Sequence, residues 1–193
     1  MLNKDSADSA SSDSICLAHV SDIHFGRISD PSIVASLVGQ INKADVDLVV
    51  VSGDLTQRAF PHQYRAATGM LAAFDAPSIV IPGNHDVYPW WRTYSRLFVP
   101  LRRYRNYISQ NLTPSFTKPS LAVLSINSAF GRTIKGGRID ESQRQAMRTF
   151  FQAVPKDAFR ILSVHHHLTQ IQAIGNHDVA IGGAETLLCA AEM

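Results

Sequence analysis

Five short stretches of this chain are apolar almost without interruption: residues 15–20, 47–51, 77–81, 121–126 and 160–164. Runs of this length, rich in Val, Ile and Leu and lacking a polar alternation, predict strands buried on both faces. Between them the apolar period changes to that of a helix. Asp30-Pro31-Ser32 is a start signal for a helix to about Lys43, with Ile33, Val34, Leu37, Val38 and Ile41 on one side. Pro61 or His62 begins a second helix to about Phe74, and Asp140 caps a third from Glu141 to about Ala153. Residues 90–107 read as helix broken near Pro100, residues 111–119 as turn, and residues 184–193 as a final helix. Strand and helix alternate at intervals of about thirty residues, which predicts a largely parallel sheet covered on both faces, with right-handed crossovers.

Length and composition bound this α/β picture. With 193 residues and 45% apolar content, one domain with a substantial core is expected. Residues 1–14 are mostly Ser, Asp and Ala without an apolar segment, which predicts a flexible polar tail and not a signal peptide. No later run reaches the roughly 18 apolar residues of a membrane span. Cys16 and Cys189 lie in apolar surroundings and read as buried thiols of a reducing compartment, so the expected location is the cytoplasm. The formal net charge is +2, scattered apart from a cluster at Arg92, Arg96, Arg102, Arg103 and Arg105. No basic tail suited to nucleic acid is present, and that cluster fits a solvated helix face or attraction of an anionic substrate.

The chemistry sits where the strands stop. The first ends in Ser21-Asp22-Ile23-His24, the second in Ser52-Gly53-Asp54, the third in Gly83-Asn84-His85-Asp86 and the fifth in His165-His166-His167. In open α/β sheets, ligands bind beyond the carboxyl ends of the strands. Asp22 and His24, two apart on an extended segment, would face one side and reach one cation. Asp54 follows a glycine that allows close approach, and its two oxygens suit a bridge between cations. Asn84 can ligate without adding charge, His85 can donate a proton, and Asp86 can orient or acidify it. Three successive histidines suit a transition metal, although alternation lets at most two face the same way. Each motif alone also fits a turn or a helix cap; four together fit a shared metal site.

These ordered motifs, Asp-x-His, Gly-Asp, Gly-Asn-His-Asp and a strand-end His, resemble the calcineurin-like metallophosphoesterase superfamily over residues 15–193. The resemblance implies an α/β/β/α sandwich and a phosphohydrolase, most simply a phosphodiesterase, using two divalent metal ions (Mn, Fe, Zn or Co) and metal-bound hydroxide. By motif, Asp22, His24 and Asp54 would bind one metal and Asp54, Asn84 and His165 the other, with His85 and Asp86 as the catalytic pair. His165 is preferred to His166 because the family's ligand is the first His after the strand. Gly53-Asp54-Leu55-Thr56 lacks the Val-Asp-Arg-Gly continuation of Ser/Thr protein phosphatases, and Gln57 stands where purple acid phosphatases place a Tyr. With Tyr64-Arg65-Ala66-Ala67, the pattern looks most like the bacterial cyclic-nucleotide-phosphodiesterase-type branch, which implies a small phosphate ester such as a cyclic nucleotide as substrate.

The family also carries a later Gly-His-x-His motif, which this sequence does not contain. The expectation is therefore a domain, 15–193, lacking its C-terminal part, with weakened metal affinity and an exposed sheet edge suited to homo-oligomer formation. His177, in a second Gly-Asn-His-Asp, is a candidate replacement ligand, as is His166. The alternative reading is a weakly active or inactive phosphoesterase-fold interaction module.

Overall fold

The computed structural model describes residues 14–26, 30–172 and 178–193. It contains two three-stranded sheets. The first comprises β1 (Leu17–Val20), β2 (Leu48–Val51) and β3 (Ser78–Val80), all parallel and in that order. The second comprises β4 (Ser115–Lys118), β5 (Leu121–Ile126) and β6 (Phe159–Val164), with β4 antiparallel and β6 parallel to β5.

The unbroken apolar runs follow from what covers each face. In β2, Leu48 and Val50 pack with Ile79, Leu121 and Val123 in a cluster between the two sheets. The alternate residues, Val49 and Val51, join Tyr64, Ala67 and Met70 on the outer side. These last three belong to α2 (Pro61–Ala72), which lies there with α1 (Pro31–Lys43). In β5 the same alternation sends Ala122, Leu124 and Ile126 outward against Met147, Phe151 and Cys189. The layers are thus helix, sheet, sheet, helix, as the resemblance implied. The single largely parallel sheet read from periodicity is corrected to two facing sheets, because a fully apolar strand does not reveal whether a helix or another sheet covers it.

Helix starts follow the local chemistry. Asp30 accepts from the Ser32 amide at 2.8 Å with Pro31 in the first turn. After α3 (Thr93–Phe98) and α4 (Arg102–Tyr107), Asp140 and Gln143 form a reciprocal box at the start of α5 (Glu141–Gln152). The final helix, α6 (Gly183–Ala191), packs on α5. One further correction concerns residues 111–119, read as turn: Ser115–Lys118 is a strand hydrogen-bonded to β5. It is a mostly exposed edge whose one large apolar residue, Phe116, leans on the intersheet cluster, so its apolar signal is a single residue. No helix among the described residues is long and apolar enough to cross a membrane. Of the tail read over 1–14, all but Ser14 lies outside the described residues, as does His177.

Candidate metal centre

The loops that follow β1 and β2 remain tied to one another beyond the regular ladder. Asp22, His24 and Phe25 donate their amides to the carbonyls of Gly53, Asp54 and Leu55 at 3.1, 2.9 and 2.8 Å. Within these loops Asp22, His24 and Asp54 adopt φ of 58, 52 and 55°. Non-glycine residues rarely occupy this left-handed region, and such outliers concentrate at functional sites. The extended segment expected at Asp22 and His24 is therefore corrected. Their side chains converge because two left-handed turns flank Ile23, not because strand alternation continues.

Asp54 lies at the centre and is almost fully buried. Its Oδ2 is 3.5 Å from His24 Nε2, which is also 3.5 Å from Asp22 Oδ1. Its Oδ1 is 3.4 Å from His165 Nε2, which is 3.2 Å from Asn84 Oδ1. Asn84 is held by its amide nitrogen, which donates to the Ile134 carbonyl at 3.4 Å and turns the oxygen inward. His165 Nδ1 lies 2.8 Å from the Ser52 carbonyl, which can only accept. Nδ1 therefore carries the hydrogen, and Nε2 of His165 faces two oxygen acceptors, which it can meet only by holding a proton or sharing a cation with them. Three acceptors meeting at one point repel unless a cation lies between them. Asp22, Asp54 and His165 form one group able to hold an ion, and His24, Asp54 and His85 another.

Protonation follows the same logic. His24 lowers Asp22 to about 2 by hydrogen bonding, and Asp22 in turn raises His24. Burial alone would lower His165, but its hydrogen bond with the Asp54 carboxylate carries it up to about 9. Burial likewise pushes Asp54 upward, and contact with His165 more than reverses this. The cluster stabilises positive charge, whether a proton or a metal ion supplies it. Carboxylate, amide and imidazole donors fit a divalent ion of the first transition row, whose binding displaces such protons.

Asp86 has a different place from the one expected. It is buried in the short 3₁₀ turn Asn84–Asp86, and its carboxylate accepts from the amides of Leu55, Thr56 and Gly83 and from the Thr56 hydroxyl, at 2.9–3.1 Å. Burial pushes its carboxyl up to about 6 against these donors. The reading of Asp86 as partner of the His85 imidazole is corrected. His85 Nδ1 instead donates to the Gln57 carbonyl at 2.9 Å, which leaves Nε2 as the ring atom for the cleft. Asp86 ties the β2 and β3 loops together. Asp86→Asn, which sets an NH₂ against N–H donors, is expected to cost about 2 kcal/mol in urea unfolding. An unchanged midpoint would contradict that role.

A cavity of about 350 Å³ is lined by Asp22, His24, Asp54, Asn84, His85 and His165, joined by Lys135 and Asp178. His166 also borders it but turns toward Ser128, whose Oγ lies 2.7 Å from its Nδ1. Burial, followed by the charge of His165, pulls His166 down to about 4, so it packs as a neutral ring. His167 is exposed and pairs through its backbone with Asp178 and Ala180. Sequence reasoning missed Lys135, whose loop position carries no motif.

The sequence model of the calcineurin-like phosphoesterase family matches residues 17–187. A glycerophosphodiester phosphodiesterase of Enterobacter lignolyticus is 32% identical over 136 residues, 65% of this chain and 48% of that protein. A probable cyclic nucleotide phosphodiesterase of Vesicomyosocius okutanii is 21% identical over 78% of this chain and 58% of its own length. The chain thus spans about half the length of these curated relatives. Among solved structures, a dimetal phosphatase from Danio rerio is similar in fold, with TM-score 0.64 and 13% identity over 92% of this chain and 77% of that one. A purple acid phosphatase of yellow lupin has TM-score 0.58 and 14% identity over 81% of this chain and 31% of its own.

Proposed function

Since the chain belongs to the calcineurin-like phosphoesterase family, we propose that it hydrolyses phosphodiesters at a dinuclear centre built on Asp54. The observation that carries this reading is the position of Asp54, whose two oxygens face two different imidazoles, His24 and His165. Asp22, His24 and Asp54 would hold one ion, and Asp54, Asn84 and His165 the other. When bound, such ions supply positive charge to the phosphoryl oxygens and acidity to water. Around them the protein fixes the donors. The Ser52 carbonyl sets the His165 ring, and the Ile134 carbonyl sets the Asn84 amide. His85, oriented through Nδ1 by Gln57, delivers a proton from Nε2 to the departing alkoxide when its ring is charged. Both relatives named above carry phosphodiesterase names, which supports this substrate class.

The test is hydrolysis of bis(p-nitrophenyl) phosphate with Mn²⁺, alongside His85→Ala. His85→Ala is expected to retain its metal, measured by plasma mass spectrometry, and to lose about 10²-fold in kcat. The loss should be larger for a diester with an alkyl leaving group, which needs the proton more than nitrophenolate does. Absence of hydrolysis by the unaltered chain would remove the proposal. Equal losses on both leaving groups would remove the proton-donor role.

A further inference from the structure

A second cavity, of about 230 Å³, adjoins the metal cluster and shares Asn84, His85 and Lys135 with it. Its outer wall is formed by Trp90, Trp91 and Ile134. These side chains are 69, 48 and 71% exposed, although each would be more stable covered. Trp90 and Trp91 meet edge to face, with centroids 5.7 Å apart. The walls are built and not loose. Arg92 N donates to the Pro89 carbonyl at 2.9 Å and Thr93 Oγ1 to that of Trp90 at 3.3 Å, closing the turn that carries both indoles. Arg96 then joins the two walls, donating Nη1 to the Tyr88 carbonyl at 2.5 Å and Nη2 to the Thr133 carbonyl.

One cation stands at the inner end, on the side of the metal cluster, where exposed Lys135 borders both cavities. A second, Arg58, lines the aromatic cavity, with Nη1 donating to the Gln57 carbonyl at 3.0 Å beside His85 Nδ1. The cavity is thus cationic where it meets the cluster and aromatic where it opens to solvent. A ligand matching that order has an anionic phosphate at one end and a flat apolar group at the other. A glycerol headgroup offers neither a ring face nor apolar area to cover the indoles. Roughly 150 Å³ is enough for a benzene ring, so the space accepts one ring system.

We infer that the substrate is a phosphodiester whose ester group carries an aromatic ring, seated against Trp90, Trp91 and Ile134 while Arg58 and Lys135 face its phosphate. This rests on the phosphodiesterase reading and goes further, selecting a ring-bearing substrate over a glycerophosphodiester. Stacking of this kind is worth about tenfold or more in affinity per ring.

Trp90 and Trp91 are the chain's two tryptophans, so fluorescence excited selectively at tryptophan reports on this cavity alone. The full chain, with Mn²⁺ present, is titrated with diphenyl phosphate and with diethyl phosphate, which carry equal charge. Diphenyl phosphate is expected to quench the fluorescence and, by calorimetry, to bind about tenfold more tightly. In Trp90→Ala/Trp91→Ala the ratio of the two dissociation constants should fall to about one, and Trp91→Phe should restore part of it. Equal affinities in the unaltered chain, a preference that survives the double substitution, or no binding of either probe would each overturn the inference. Hydrolysis of bis(p-nitrophenyl) phosphate separates the two ideas. Turnover without the aromatic preference removes only the ring pocket, whereas the preference without turnover removes only the enzymatic reading.

Discussion

Asp54→Asn is expected, on the proposed dinuclear reading, to abolish metal retention and to lower kcat for bis(p-nitrophenyl) phosphate by about 10³-fold. Asn is the informative replacement. It keeps the shape of the side chain, and it tolerates the left-handed backbone that Asp54 adopts at φ 55°. What it removes is the charge, and half of the oxygen pair that faces His24 Nε2 at 3.5 Å and His165 Nε2 at 3.4 Å. One amide oxygen cannot serve both imidazole sides, so neither half of the centre is left intact. The readouts are metal content after desalting and turnover with saturating Mn²⁺. A variant that keeps two ions per chain and turns over within tenfold of the unaltered protein is incompatible with a bridging Asp54.

Gly83→Ala is expected to weaken the same centre from a residue that has no functional group. A Cβ at Gly83 would overlap Asp54 Oδ1, lie 2.5 Å from the Asp54 amide nitrogen and 2.8 Å from its Cγ. Neither neighbour yields easily. The amide belongs to a backbone already held in the left-handed region, and Asp54 Oδ1 also accepts from the His85 amide at 2.8 Å. Gly53 leaves no slack behind it, since its own Cβ would sit 2.7 Å from Gly83 N and 2.8 Å from His165 Nδ1. The added methyl must push the Asp54 carboxylate aside or separate β2 from β3. Overpacking of this kind costs about 1–3 kcal/mol in stability. Displacing a ligating oxygen by part of an ångström should cost at least about tenfold in metal affinity as well. Denaturant unfolding and a competitive metal titration read the two effects separately. Normal metal affinity in Gly83→Ala would show that the contact is not limiting.

The residues at the strand ends were legible because four strands, β1, β2, β3 and β6, each end in one such group, in order, next to apolar runs that are hard to misread. β2 and β5 are buried on both faces, and their sequences say so. What is placed by neighbours was not legible. Whether His165 or His166 faces the cluster depends on the Ser52 carbonyl and the Ser128 hydroxyl, which hold the two rings apart and lie far from them in sequence. Asp86 follows two candidate site residues and shares their chemistry, yet the tight turn aims its carboxylate at the backbone of residues 55, 56 and 83. β4 was hidden for a plainer reason, having a single, partly buried apolar residue among four. Trp90, Trp91, Arg58 and Lys135 carry no spacing that announces a cavity; only the turns around them bring indoles and cations to the edge of the cluster.

The left-handed backbone at Asp22, His24 and Asp54 restricts which replacements this centre tolerates. Asp, Asn and His are the side chains most often found in that conformation after Gly. They are also the short oxygen and nitrogen donors the cluster employs, so one small alphabet satisfies two independent demands. Glutamate carries the same charge as aspartate but meets neither the reach nor the backbone preference, and cysteine satisfies the metal alone. Drift toward a softer or larger ion is therefore closed at three positions by the path of the main chain, before any ion has been chosen.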